Sequence, residues 1–177
     1  LPKSKNDPKQ MEFDLRHSLD KYIQDEHLQK PVHVFYNDSE AFEKFINLPA
    51  AKTVHHAYLH GLLEHTLGVV KNAVYVATLY PQLNRELLIL GALFHDIGKV
   101  QELDTSTGFD YTDDGRLMGH LMLGYTMIDN YMESIEGFPP SYRQHLLHMM
   151  VSHHGQLEFG SPQVPKTPEA MALNHID

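Results

Sequence analysis

Seven side chains able to hold a metal ion recur on or beside strongly apolar stretches of this chain: His65, His95, Asp96, His120, His153, His154 and Asp177. The densest instance is "GALFHDIGK", Gly91 to Lys99, where an imidazole and a carboxylate stand side by side as an apolar run ends. Buried imidazoles and carboxylates must be paired or metal-bound. Five helices that each offer one or two such groups can meet at one centre. A set made only of His and Asp suits Mn²⁺, Fe²⁺, Zn²⁺ or Co²⁺. Seven donors exceed what one tetrahedral site needs, so the set is large enough for two divalent ions and the Lewis-acid chemistry they bring.

The adjacent pairs restrict where these groups can sit. Neighbouring residues in a helix point about 100° apart, so an interior pair cannot easily serve one site. At a C-terminal helix end the backbone can relax and aim both side chains inward. Both His95–Asp96 and His153–His154 are followed closely by a glycine, Gly98 and Gly155. The core helices stop, on this reading, where their ligands begin.

The positioning elements read as all-α. Apolar residues at Phe13, Leu19, Tyr22, Ile23 and Leu28 predict an amphipathic helix that stops before Pro31. Asp38 or Ser39 caps a short helix carrying Phe42, Phe45 and Ile46, stopped by Pro49. A long helix runs from about Ala57 to Tyr80 with His65 on it, and Asn84 caps "RELLILGALFHD". Residues 101–115 predict a short loop or hairpin insertion, and a helix carrying His120 starts near Gly119. Pro140 or Ser141 opens "SYRQHLLHMMVSHH", and Thr167 with Pro168 opens the last helix, which reaches Asp177. Met122, Met127, Met149 and Met150 read as core filler.

Composition narrows the function classes. The chain has 177 residues, enough for one domain with a core, and no apolar run approaches a membrane span. Cysteine is absent, which removes disulfides and thiolate metal sites and fits a cytoplasmic enzyme. Histidines number 14, as many as Lys and Arg together, and His is the commonest protein metal ligand. A net charge of -9 argues against a broad basic groove for nucleic acid. A polyanionic substrate would need local positive charge, which bound cations supply. Residues 1–12 are polar and read as a linker remnant, leaving 13–177 as the domain.

In order and placement these residues resemble the HD-domain superfamily of metal-dependent phosphohydrolases, whose signature runs H…HD…H…HH…D. The stretches "AAKTVHHAYLHGLLEHTLGVV", "FDYTDDGRLMGH", "VSHHG" with "LEFGSP", and "PKTPEA" further resemble the bacterial YhaM, or CMP-binding factor, family of 3′–5′ exoribonucleases, from about Glu40 to Asp177. The resemblance implies an HD-domain helical bundle. It also implies an N-terminal OB-fold and a C-terminal tail lying outside this stretch. Cyclic-di-nucleotide phosphodiesterases of the HD-GYP type continue differently after "HH". Some of them hold a third metal through a Glu where this chain has Gly61. Two ions are therefore expected.

The same resemblance implies that His65, His95 and Asp177 hold one ion, that His120, His153 and His154 hold the other, and that Asp96 bridges them. Ions about 3.5–4 Å apart lower the pKa of a bridging water and clamp both oxygens of an in-line displacement. Lys99 is expected to contact a non-bridging phosphate oxygen and stabilise developing charge. Arg116, His56 and Lys52 are further candidates for substrate phosphates. His56 and His60, an i,i+4 pair, fall outside the motif and are not expected to ligate. His145 and His148 read as packing groups. The leading expectation is a catalytic domain releasing nucleoside 5′-monophosphates from single-stranded RNA, and from single-stranded DNA by the same chemistry. The alternatives are a hydrolase of free nucleotides or small phosphate esters, and a non-catalytic metal- or nucleotide-binding module.

Overall fold

The computed structural model describes residues 2–51, 57–104 and 110–177. Its helices are α1 (Pro8–Tyr22), α2 (Glu26–Asn37), α3 (Ser39–Asn47), α4 (Gly61–Leu79), α5 (Arg85–Phe94), α6 (Lys99–Glu102), α7 (Asp113–Glu133), α8 (Pro140–Ser152) and α9 (Pro168–Ile176). Between α6 and α7 lies a hairpin of β1 (Leu103–Asp104) and β2 (Asp110–Tyr111), antiparallel with Leu103 opposite Tyr111. The fold is all-α with this short insertion, as the sequence predicts.

Every residue of α5 from Leu87 to Phe94 is buried, which makes it the central rod. It packs against α4, α8, α9 and α2. Its start is fixed by Asn84, whose side chain accepts from Leu87 N at 3.0 Å. Thr167 does the same for α9 through Ala170 N, and Asp38 for α3 through Ala41 N. Phe35 lies at the centre of an aromatic cluster with Phe42, Phe45 and Phe94, ring centroids 5.1–5.8 Å apart. No helix among the described residues is long and apolar enough to cross a membrane.

The N-terminal third departs from expectation. Residues 8–12 are helical rather than linker, because the Asp7 carboxylate accepts from Lys9 N and Pro8 suits the first turn. Met11 is thereby buried, while Phe13 turns outward and stays 62% exposed. Lys3 pairs as a parallel bridge with Leu59, tying the start of the chain to the start of α4. The expected stop at Pro31 does not occur. The break falls earlier, where Asp25 caps a new helix through His27 N and Leu28 N, and Pro31 lies buried inside α2. Met122 is exposed, whereas Met127, Met149 and Met150 are core.

Helical structure already starts at Asp113, but Gly119 breaks α7, so the segment bearing His120 begins near Gly119 as expected and a further helical stretch precedes it. At Gly119 φ is 74° and ψ 162°, a conformation that a side chain resists. His120 thus opens a fresh helical segment. Gly98 is required for a different reason: a Cβ there would lie 1.9 Å from the His120 carbonyl oxygen. Its bareness lets the "HDIGK" turn press against α7.

Candidate metal centre

His65 lies one turn into α4, His95 and Asp96 follow α5, and His120 follows the kink in α7. His153 and His154 follow α8, and Asp177 caps the end of α9. Five helices therefore deliver their donors to one place. His65 Nε2 is 3.1 Å from His95 Nε2 and 3.0 Å from Asp177 Oδ1, and His95 Nε2 is 3.1 Å from the same oxygen. Asp96 Oδ2 lies 3.5 Å from His65 Nε2 and 3.3 Å from His95 Nε2. Its other oxygen, Oδ1, faces His120 Nε2 at 3.4 Å and His153 Nε2 at 3.7 Å. His154 completes the second side, its ring centroid 5.4 Å from that of His120 and 4.6 Å from that of His153. Two groups emerge, each compact enough to hold a metal ion: His65, His95, Asp96 and Asp177, and His120, His153 and His154.

The outer ring nitrogens are spoken for. His95 Nδ1 is 2.7 Å from Ala92 O, His153 Nδ1 3.0 Å from Met150 O, and His154 Nδ1 3.2 Å from Phe159 O. With those nitrogens donating to carbonyls, it is each Nε2 that faces the centre, where it offers a lone pair once the ring is neutral. Asn174 holds the turn after α8 by donating to His153 O at 2.9 Å. Glu102 acts at the remaining histidine: its Oε2 is 2.9 Å from His120 Nδ1. The sequence reading omits Glu102; its only signal is an acidic residue two turns beyond the "HD" pair, at the end of α6.

The electrostatics favour positive charge at this centre. Burial disfavours a charged His95, but Asp96 and Asp177 outweigh it and push its pKa up to about 10. His120 is likewise penalised by burial yet raised to about 9 by Asp96 and Glu102. Burial would raise Asp96, but His95 and Lys99 hold it well below the usual carboxylate range. Asp177 is lowered in the same manner by His65 and His95. Burial pushes the His153 pKa down, which favours its neutral form. Within this cluster, the buried His120 Nε2 and His153 Nε2 have no hydrogen-bond partner among the described residues. Ring nitrogens left unpaired beside a carboxylate fit a divalent cation, which would take the place of a ring proton, better than any neutral occupant.

The other candidates divide. Lys99 Nζ donates to Asp96 Oδ2 at 3.0 Å, so the lysine belongs to the cluster. The partner Arg116 has among the described residues is Asp110, at 3.1 Å, not a member of the cluster. Lys52 and His56 lie outside the described residues. His60 caps α4 in a left-handed conformation with Nδ1 2.8 Å from Ile46 O, consistent with a packing role. His148 Nε2 accepts from Lys166 N at 2.9 Å.

The HD-domain family profile matches residues 62–177, the span that contains all seven donors. Among curated relatives, the 3′-5′ exoribonuclease YhaM of Geobacillus sp. (strain WCH70) is 39% identical over 135 residues, covering 76% of this chain and 41% of the relative. The protein of the same name from Bacillus subtilis (strain 168) is 37% identical over 134 residues, covering 76% and 42%. That from Listeria innocua is 39% identical over 137 residues, covering 76% and 43%. The chain thus spans about two fifths of the length of these relatives. No solved structure matches.

Proposed function

This chain belongs to the HD-domain family, and from that premise we propose that it is the catalytic domain of a metal-dependent 3′–5′ exoribonuclease. The observation that carries the proposal is the division of Asp96: one oxygen faces His65 and His95, the other His120 and His153. A carboxylate so placed is suited to bridge two cations. His65, His95 and Asp177 would hold one of them, and His120, His153 and His154 the other. The donor set suits Mn²⁺, Fe²⁺, Zn²⁺ or Co²⁺. Bound ions supply Lewis-acid polarisation of a phosphodiester and a more acidic water.

The residues of the chain supply the rest. The carbonyl-anchored rings of His95, His153 and His154 hold their inner nitrogens in place without reorganisation. Lys99, with Nζ at the edge of the bridging carboxylate, brings a positive charge to the negative charge that grows on phosphorus oxygens. Relatives named as 3′-5′ exoribonucleases support RNA, attacked from its 3′ end, as substrate, and we propose that the strand is single. The reading places the enzyme in the cytoplasm.

A denaturing gel of 5′-labelled single-stranded RNA with Mn²⁺ tests this. The expected result is a ladder shortened from the 3′ end with release of nucleoside 5′-monophosphates, suppressed by a 3′ block and by duplex. A second reading, hydrolysis of free nucleotides, draws support from the net charge of -9, which repels long polyanions. Intact RNA beside brisk phosphate release from nucleotides would decide for it.

A further inference from the structure

The turn that follows the paired histidines is both pinned and apolar. Leu157–Phe159 form one turn of 3₁₀-helix, with Phe159 N donating to Gln156 O and Gly160 N to Leu157 O, each at 3.1 Å. Buried Ser161 anchors it to α8, its hydroxyl 2.7 Å from Val151 O. On this turn Leu157 is 67% exposed and Phe159 62% exposed. A rigid turn that holds two large apolar side chains in water gains little for the fold.

The turn is also joined to the metal centre. The Phe159 carbonyl accepts from His154 Nδ1, so the residue bearing the exposed ring is also the one that fixes His154. Among the described residues, Lys99 at the centre pairs with Asp96, and Arg116 pairs with Asp110 outside the cluster. With a net charge of -9, a nucleotide gains little here from contacts to the strand's phosphates beyond the centre itself. Its remaining feature is the base, whose π-face stacks on aromatic rings whatever its identity.

We infer that the Leu157–Phe159 turn is the nucleobase platform of this site, with Phe159 stacking on the base of the nucleotide whose phosphate lies at the His/Asp cluster. The inference rests on the reading of that cluster as a phosphohydrolase centre and holds for RNA or a free nucleotide alike. Stacking tolerates all four bases, so the platform gives grip without sequence preference. It also predicts that ribose phosphates lacking a base bind poorly.

The chain contains no tryptophan, which provides a direct probe. In Phe159→Trp the new indole is the sole one, and Zn²⁺, a closed-shell ion, serves as the loading metal. Saturable quenching by adenosine 5′-monophosphate, with none by ribose 5-phosphate, is the expected result. A flat response to both, or an equal response to both, overturns the platform. Phe159→Ala should raise KM for single-stranded RNA about tenfold, at the scale of one lost stack. That variant should then be indifferent to removal of the 3′-terminal base, which costs the unaltered protein a similar factor. Wild-type KM in Phe159→Ala would likewise overturn the inference. Quenching by the nucleotide without any RNA shortening would keep the platform and retire the exonuclease reading. RNA shortening without quenching would do the reverse.

Discussion

Lys99 Nζ stands 3.0 Å from Asp96 Oδ2, the oxygen that also faces His65 and His95. The pair is one helical turn apart, and the lysine is only 16% exposed along its side chain. Its charge is therefore poorly screened, and on the proposed reading it would meet a phosphate oxygen of the substrate. Lys99→Met keeps the apolar stem and removes the charge. The expected loss is in kcat, on the order of 10²-fold, with metal content unchanged by elemental analysis. Loss of metal in parallel with activity would make Lys99 a prop for Asp96 instead.

Glu102 gives a second outcome. Its Oε2 is the carboxylate oxygen at His120 Nδ1. Outer carboxylates of this type typically contribute about 10- to 100-fold in metal affinity. Glu102→Ala should weaken one of two calorimetric binding steps by that factor and spare the other. Glu102→Gln, which retains an accepting oxygen, should recover most of it. Equal weakening of both steps would indicate a general disturbance of α6.

Much of this site is legible in the sequence. Histidine and aspartate at the ends of apolar helices, followed by glycine, mark positions where a helix must stop and point inward. The caps at Asp38, Asn84 and Thr167 were equally legible, since each is a short polar side chain just before an apolar run. What local pattern cannot carry is long-range packing. Pro31 reads as a stop, yet Asp25 restarts the helix early enough that the proline falls inside it. Glu102 looks like any surface acid until α7 brings His120 beside it. Gly98 looks like a turn residue, and only the approach of the His120 carbonyl makes it obligatory. Phe13 fits a helical stripe, but the stripe is set by Met11, Leu15 and Leu19.

Stability should carry a pH signature from Asp25 and Tyr142, whose hydroxyl donates to Asp25 Oδ2 at 2.7 Å. That hydrogen bond lowers the Asp25 pKa against the opposing effect of burial, with help from His27 N and Leu28 N. It also raises Tyr142 above the ordinary tyrosine value. A depressed carboxylate stabilises above its unfolded pKa and loses that stabilisation as pH falls through the folded value. A raised phenol stabilises below its unfolded pKa and loses it as pH rises. Tyr142→Phe should therefore cost most between about pH 5 and 9. Both groups are largely solvated, so the cost is no more than about 1 kcal/mol, or roughly 2–4 °C in Tm. The gap between the two melting curves should narrow below about pH 4 and above about pH 10. A pH-independent gap would mean that the hydroxyl acts by packing alone.

Metal binding should be visible as stability, and Asp96 should decide how much. The folded chain gathers donors from five helices, whereas the unfolded chain scatters them between residues 65 and 177. Ions that bind only the folded form stabilise it by mass action, about 2.7 kcal/mol at a hundredfold excess over Kd. For a chain of this size that is about 5–10 °C, readable by differential scanning calorimetry with Mn²⁺ and reversed by chelator. Asp96→Ala removes the carboxylate whose two oxygens face the two halves of the cluster. The core packing of α5 is apolar and does not depend on that carboxylate, so the helical circular dichroism should persist. Hydrolysis of bis-p-nitrophenyl phosphate should vanish, and most of the Mn²⁺-induced rise in Tm with it. If turnover vanished while the full rise remained, Asp96 would be needed for chemistry but not for holding the ions. Turnover close to that of the unaltered protein would remove Asp96 from the mechanism altogether.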